Sequence, residues 1–423
     1  MARTFHVWTI GCQMNLADSE SLARQLLAAG YREVPEMARA DIAILNTCVV
    51  RQASEDKVYS KLHELRRWKT RDRTIAVTGC IVRKEGDALR ERFRHVDAIV
   101  PIGQYQPFLA DLEARYDYAM GEPLPQAGRT GISHYVNVIQ GCDHNCTFCI
   151  VPKVRGREVH VPLRQVLGRC RRAVAEGARE VVLLGQNVDD YHDPGGCGGL
   201  AALVREVSSI PGLKRVRFMT SHPQDLEMEL LEVMAGSPAV AQELQLPVQS
   251  GDDVVLKRMA RGYKVDRYRE IVARARSLMP ELGLYTDIIV GFPGETEEQF
   301  LNTRRLMEEI EFDVVHLAQY SPRPGTHAGD RWPDDVPNAE KRRRINDLLA
   351  LQREIAGRRT ARWIGRKVEV LVEGADELGR PYGRNRQGKR VVVKRARAQP
   401  GEMVSVLVEE ASPGQLAGSL LAA

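Results

Sequence analysis

The sequence predicts an α/β protein in three parts: an N-terminal parallel α/β domain over residues 4–118, a central (β/α)6 partial barrel over 128–358, and a small all-β barrel over 361–423. Three observations predict it. Short apolar runs alternate with amphipathic helical stretches through the first two parts, the signature of parallel sheets. After a basic helix carrying Lys341, Arg342, Arg343 and Arg344, the pattern changes to closely spaced β-type runs separated by turns. And 423 residues are too many for one ordinary core.

In the N-terminal part the strands fall at Phe5–Ile10, Asp41–Asn46, Thr74–Thr78 and Val96–Val100. A helix over Ser19–Ala29 closes at Gly30, as a helix C-terminus should. Cys12, Cys48 and Cys80 each lie just past a strand end. In a parallel sheet those ends share one edge, where ligands usually bind. Each cysteine taken singly reads as a buried core thiol; their common position at strand ends favours a ligand site. Residues 102–128, with Gly, Pro and no clear periodicity, read as a linker.

The central part carries strands near Tyr135–Ile139, Val181–Leu184, Arg215–Met219, Glu243–Leu246, Thr286–Val290 and Val314–Gln319, so its chemistry is expected at their C-terminal ends. Directly after the first of them comes Cys142-x3-Cys146-x2-Cys149. Three thiolates on one short loop can hold three irons of a cubane [4Fe-4S] cluster and leave the fourth iron open. A structural zinc site wants four ligands, and His144, the nearest fourth, sits awkwardly between two of the cysteines. Cys170 fits the apolar face of a helix with Leu163, Val166, Leu167 and Val174, and Cys197 sits in a glycine loop; neither joins a cluster.

The strands of the last part read as Lys367–Val372, Arg390–Val393 and Met403–Val408, with turns at Gly374, Gly379, Gly383 and Gly388. Between Arg380 and Arg397 stand eight basic residues and no acidic one: Arg380, Arg384, Arg386, Lys389, Arg390, Lys394, Arg395 and Arg397. A solvated basic face is the plain reading. Alternation with strand residues and the presence of Tyr382 favour phosphate contacts and stacking on RNA.

Composition bounds the rest. A chain 43% hydrophobic and 28% charged belongs to a folded globular protein, not a disordered one. No apolar run is long enough for a signal peptide or a spanning helix, so a cytoplasmic protein with no membrane partner is expected. In that reducing compartment its eight cysteines are not a disulfide frame.

The cysteine triplet and the alternating architecture resemble the radical S-adenosylmethionine (SAM) superfamily. The N-terminal three-cysteine domain and the C-terminal β module, which resembles a TRAM domain, narrow the likeness to its methylthiotransferases. The likeness covers essentially the whole chain. It rests on Gly11-Cys12-Gln13-Met14-Asn15, Asn46-Thr47-Cys48, Leu184-Gly185-Gln186-Asn187-Val188, Thr220-Ser221-His222-Pro223, Leu246-Pro247-Val248-Gln249-Ser250-Gly251, Gly291-Phe292-Pro293-Gly294-Glu295-Thr296 and Ser321-Pro322-Arg323-Pro324-Gly325-Thr326. Three departures lie near the family's substrate mouth: Pro152-Lys153-Val154-Arg155-Gly156 replaces Pro-Tyr-Thr-Arg-Gly, His160-Val161 stands near the place of a Ser-Arg pair, and Gly262-Tyr263-Lys264 replaces Arg-Tyr-Thr.

The resemblance implies two [4Fe-4S] clusters. Cys142, Cys146 and Cys149 would hold the one that cleaves SAM to a 5′-deoxyadenosyl radical. Cys12, Cys48 and Cys80 would hold an auxiliary one that carries sulfur, methylated by a second SAM. Phe148, Gln186, Asn187, Gln249, Ser250 and Gly291 become SAM contacts, although each could equally satisfy a local turn. The implied reaction is methylthiolation at C2 of N6-isopentenyladenosine just 3′ of the anticodon. Its rivals are N6-threonylcarbamoyladenosine in tRNA and an aspartate of a ribosomal protein. Those branches typically carry Gly-Cys-Lys-Val-Asn and Gly-Cys-Pro-Lys-Asn near the start; Gly11-Cys12-Gln13-Met14-Asn15 matches neither. The implied partners are the tRNA anticodon stem-loop, an electron donor such as flavodoxin or ferredoxin, and a sulfur donor, with the chain a monomer. A non-catalytic electron carrier is the rival of another class, but a pure carrier would ligate its cluster fully.

Overall fold

The computed structural model describes residues 3–50, 52–116, 131–394 and 397–421. The chain divides into two compact units. Residues 1–129, 140–143 and 149–158 form one; residues 130–139, 144–148 and 159–423 form the other.

In the first unit, strands β1 (Thr4–Thr9), β2 (Arg32–Glu33), β3 (Ile42–Thr47), β4 (Thr74–Gly79) and β5 (Ala98–Val100) make one parallel sheet in the order β2-β1-β3-β4-β5. β3 and β4 are buried along their whole length because helices cover both faces. Phe5, Leu22, Leu26, Tyr31 and Ile42 pack on one face; Leu45, Val58, Leu62, Ile75 and Val77 pack on the other.

The linker expected over residues 102–128 is corrected in part. Gln106–Tyr116 is a helix whose Phe108, Leu109 and Leu112 enter the first of those cores. Three apolar residues on one helical face sufficed to anchor it, and the polar remainder masked the period. Residues 117–128 of that expectation lie outside the described residues.

The second unit opens with β6 (Ser133–Asn137); the short β7 (Ile139–Gln140) and β8 (Val159–His160) flank the cysteine loop in sequence. Then come β9 (Glu180–Leu184), β10 (Arg215–Met219), β11 (Glu243–Gln245), β12 (Gly283–Val290) and β13 (Val314–Gln319). They form two parallel three-stranded sheets, β10-β9-β6 and β11-β12-β13, joined through a bridge between Val216 and Val240. The spatial order is therefore 6-9-10-11-12-13, an open (β/α)6 arrangement. Its core draws on Val181, Leu183, Val216, Leu244, Leu284 and Ile288, under helices contributing Leu203, Leu230, Ile271 and Leu306.

The C-terminal residues close a five-stranded barrel from β14 (Lys367–Ala375), β15 (Pro381–Asn385), β16 (Arg390–Lys394), β17 (Met403–Ser412) and β18 (Gln415–Leu420), in the order β14-β15-β16-β18-β17 with β17 back on β14. β15 and β18 were not expected. Gly374 and Gly383 were read as turn residues but lie within strands. At Gly383 a Cβ would collide with the Leu371 carbonyl, and at Gly418 with the Leu407 carbonyl, so backbone proximity demands glycine there.

The β15–β16 turn docks on the N-terminal ends of the central strands. Arg386 donates to the Met234 and Val240 carbonyls at 3.2 and 2.9 Å and also bonds that of Ser237, the loose end of a helix and the loop after it. Lys389 meets Asp313 at 2.7 Å, and the Tyr285 hydroxyl donates to the Gln387 carbonyl at 3.2 Å. No helix among the described residues is long and apolar enough to cross a membrane.

Candidate functional site

Strand ends of the first unit bring Cys12, Cys48 and Cys80 together as the sequence predicts. Cys12 caps the helix Gln13–Ala28, and Cys80 opens the helix Cys80–Glu85. A buried amide network sets their spacing. Asn15 donates to Asn46 Oδ1 at 3.0 Å and to the Thr47 carbonyl at 2.9 Å; Asn46 donates back to the Asn15 carbonyl at 2.7 Å and to Ser19 Oγ at 2.9 Å. Thr47 Oγ1 ties β3 to the Thr78 carbonyl at 2.6 Å. Cys12 Sγ donates to Asn15 Oδ1 at 3.3 Å.

Two glycines permit this closeness. At Gly11 (φ +138°) a Cβ would stand 2.7 Å from Cys48 Cβ, and at Gly79 (φ +94°) it would collide with the Thr47 carbonyl. Cys48 and Cys80 are buried, whereas Cys12 is exposed. Burial pushes the Cys48 thiol up to about 11 and raises Cys80 as well. Thiols so placed ionise only beside positive charge, which iron supplies. The donor set therefore fits an iron–sulfur cluster with one iron left open.

The second cysteine set lies on the eight residues 142–149, with Cys142 and Cys149 in the first unit and Cys146 in the second. All three are half-buried. In the first unit, Cys142 N donates to the Gly156 carbonyl at 3.1 Å, while Asp143 and Glu158 exchange side-chain-to-backbone bonds at 3.1 and 3.2 Å. Gly141 (φ +89°) is required there, because a Cβ would strike the Arg157 carbonyl.

In the second unit, residues 144–148 are gripped by segments that carry the sequence fingerprints. Thr147 donates to the Met259 and Arg258 carbonyls, both at 3.0 Å, and accepts from Ala328 N at 2.8 Å. Arg261 donates to Cys146 Sγ at 3.4 Å and to the Pro247 carbonyl at 3.0 Å. His144 Nε2 lies 2.6 Å from Asp225 Oδ2, and the same oxygen accepts from Asn187 at 2.7 Å. The rings of His144 and His222 stack at 4.2 Å. The Asp225 hydrogen bond raises the His144 pKa; burial, and then the Arg261 charge, hold His222 below its ordinary value. His144 is thus tied to a carboxylate, a use that sequence reading did not find.

The six residues read as cofactor contacts separate in the structure. Phe148 packs edge-on to Phe292 at 6.3 Å. Gln186 is half-buried past β9, and Asn187 spends its amide on Asp225, leaving its buried Oδ1 unbonded. Gln249 adopts φ +70° while pairing with Ile288. Ser250 is fully buried, 3.3 Å from Thr303 Oγ1, and accepts from Asp252 N, so it satisfies a local turn. At Gly291 (φ +70°) the Lys341 side chain fills the space a Cβ would take. The Gly291 N–H bonds Glu295 at 2.6 Å, and Glu295 pairs with buried Arg344 at 2.7 Å.

The basic run does not form one face. Arg386 and Lys389 are the docking contacts described above. Arg384 is paired with Glu373 at 2.9 Å, Lys394 with Glu409 and Glu410, and Arg380 with Asp376. Arg390 is exposed, its guanidinium 4.3 Å from the Tyr382 ring centroid. Arg397 is exposed, and Arg395 lies outside the described residues.

Comparison with known proteins matches three stretches of the chain. Residues 4–101 match the uncharacterized protein family UPF0004, 136–307 the radical SAM superfamily, and 361–421 the TRAM domain. A tRNA-2-methylthio-N(6)-dimethylallyladenosine synthase of Roseiflexus sp. (strain RS-1) is 41% identical over 99% of this chain and 90% of its own. The chain belongs to the radical SAM methylthiotransferases. A second methylthiotransferase of the same name, from Thermotoga petrophila, is 38% identical over 99% of this chain and 97% of its own. Among solved structures, the radical SAM methyltransferase TsrM from Kitasatospora setae, with cobalamin and a [4Fe-4S] cluster bound, superposes with a TM-score of 0.57. It covers 78% of this methylthiotransferase and 77% of TsrM at 12% identity, a likeness of fold.

Proposed function

We propose that this methylthiotransferase adds a methylthio group to C2 of N6-isopentenyladenosine, just 3′ of the anticodon of tRNA. The observation that carries the reading is the convergence of Cys12, Cys48 and Cys80 on one sheet edge, in a chain that also bears Cys142-x3-Cys146-x2-Cys149. Cys142, Cys146 and Cys149 would hold one [4Fe-4S] cluster, and Cys12, Cys48 and Cys80 the other. When bound, the first supplies an electron to SAM and the second carries the sulfur to be transferred.

The chain's own residues do the positioning. Asp225 and Asn187 fix His144, and Arg258, Met259 and Ala328 fix Thr147, so the peptide carrying Cys146 is held from several strand-end loops. Phe148, next to Thr147 on that peptide, packs edge-on against the buried Phe292. Backbone at Phe148, with Gln186, Asn187 and Gln249, remains the proposed cradle for SAM; Ser250 and Gly291 support it through the turn at Asp252 and the Glu295–Arg344 pair.

The division of labour follows residues 4–118, 128–358 and 361–423. The barrel would meet RNA through Arg390, Tyr382 and Arg397, with Arg380, Arg384 and Lys394 exchanging carboxylate partners for phosphate. The enzyme works as a cytoplasmic monomer supplied by a flavodoxin- or ferredoxin-like electron donor and by a separate sulfur donor.

The test is an anaerobic assay of the reconstituted protein with SAM, dithionite, sulfide and isopentenylated tRNA. Methylthiolated isopentenyladenosine in the nucleoside digest is expected. Product only with threonylcarbamoylated tRNA, or only with ribosomal protein, would move the substrate to that rival. Failure to form 5′-deoxyadenosine would overturn the enzyme reading.

A further inference from the structure

Arg155 is 5% exposed, yet it is not in a core of apolar contacts alone. It comes from the segment just after Cys149, and within the first unit its guanidinium reaches the strand-end cysteines of the parallel sheet. Nη1 pairs with Asp18 Oδ2 at 3.1 Å. Nη2 donates to Asn15 Oδ1 at 3.3 Å, the same oxygen that accepts from Cys12 Sγ at 3.3 Å. One acceptor thus ties the cation to Cys12. The guanidinium also faces Cys80 and acts on Cys48, where its charge opposes the effect of burial.

This placement puts one cation and one carboxylate, both buried, against three sulfur ligands. A cluster held by three thiolates carries negative charge, and each electron added to it makes that charge larger. In a water-poor site a nearby positive charge stabilises the reduced form more than the oxidised one, and a nearby carboxylate does the reverse. N–H donation toward a ligand sulfur acts in the same sense as the cation. Arg155 and Asp18 are therefore opposed levers on one site.

Resting on the reading that Cys12, Cys48 and Cys80 hold an iron–sulfur cluster, we propose that Arg155 is a positioning residue that sets that cluster's reduction potential, with Asp18 as its counterweight. The segment following Cys149 thereby supplies the electrostatic environment of the other cysteine set. A purely structural role for the Arg155–Asp18 pair makes a different forecast: loss of either partner leaves the other buried charge unpaired, and both losses harm the fold alike.

The experiment uses the full chain with Cys142, Cys146 and Cys149 replaced by alanine, so that only the strand-end set can bind iron. Iron and sulfide are counted after anaerobic reconstitution, and the potential is read by titration followed by electron paramagnetic resonance. If this background assembles no cluster, the underlying cluster reading fails before Arg155 is tested. If it assembles one, Arg155→Gln is expected to shift the potential in the negative direction, Asp18→Asn in the positive direction, and Arg155→Lys to lie between Arg155→Gln and the parent. Potentials unchanged in Arg155→Gln, or shifts of the same sign in Arg155→Gln and Asp18→Asn, overturn the inference. Should Arg155→Gln fail to hold iron, the signs of Asp18→Asn and Arg155→Lys against the parent still decide it.

Discussion

Asp225 holds His144 at 2.6 Å from outside the cysteine loop, so the loop's conformation is fixed by a residue eighty-one positions away. The carboxylate is shared with Asn187, which links the cysteine peptide to the end of β9. Asp225→Ala should therefore loosen the loop without touching a thiol. The expected outcome is a loss of about 10- to 100-fold in 5′-deoxyadenosine formation, the usual cost of removing a residue that orients a metal-binding segment. Iron bound by the strand-end cysteines should persist. Parallel counts of iron and 5′-deoxyadenosine check both.

Gly79 allows the opposite dissection. Alanine there meets a φ of +94° and the Thr47 carbonyl, in the turn that presents Cys80. Gly79→Ala should abolish iron binding by the strand-end set and leave that of the 142–149 loop, so that roughly half the iron is retained, with strain of order 1–3 kcal/mol at the substituted turn. Iron analysis and the Mössbauer spectrum distinguish this from general unfolding.

Docking of the barrel depends on Arg386. Its bonds to the Met234, Ser237 and Val240 carbonyls have no replacement in Arg386→Ala. A loss of roughly 2–4 kcal/mol in the opening free energy of the β15–β16 turn is expected, from hydrogen bonds to a charged donor that do not add fully. Hydrogen exchange at residues 381–394 reads this locally.

The same attachment carries a pH dependence. Burial pushes the Asp313 carboxyl up, but Lys389 and Arg359 outweigh it and hold the group below its ordinary 3.8. A depressed carboxylate contributes stability above its unfolded value, and that contribution is lost as the pH falls through the folded one. Protection of the β15–β16 turn should thus be flat above the ordinary carboxylate range and fall below pH 3.8. Asp313→Asn should lose about 3 kcal/mol at neutral pH, because two cations are left without their partner, and should show a weaker acid transition. Exchange measured across the acid range checks the sign.

For RNA, Arg390 on Tyr382 is the contact to remove. Arg390→Ala should weaken tRNA binding and reduce the slope of log K against log salt by about 1, as loss of one phosphate contact does. Filter binding at several salt concentrations reads it.

Much of this was legible in the sequence because period and spacing are local signals. Cys12, Cys48 and Cys80 could be placed together since strand ends in a parallel sheet share an edge. Other features were not, because they depend on who faces whom. Nothing in the pattern around Asp225 or Arg261 says that a carboxylate will meet His144 or a guanidinium Cys146. Gly374 and Gly383 look like turn residues in the sequence, yet both lie within strands, and at Gly383 a crowded backbone keeps a side chain out. Nor does the sequence around Gly291 say that a lysine stem from a distant helix packs where its Cβ would be.

The docked turn has a practical implication for anyone dissecting the protein. Excised from its host, a fragment spanning residues 361–421 would carry Arg386 and Lys389 without the carbonyls and the carboxylate that now occupy them. Such a fragment would be stickier toward polyanions than the same residues are in the intact chain. Affinities measured on the fragment would overstate the grip of the whole enzyme on its nucleic acid.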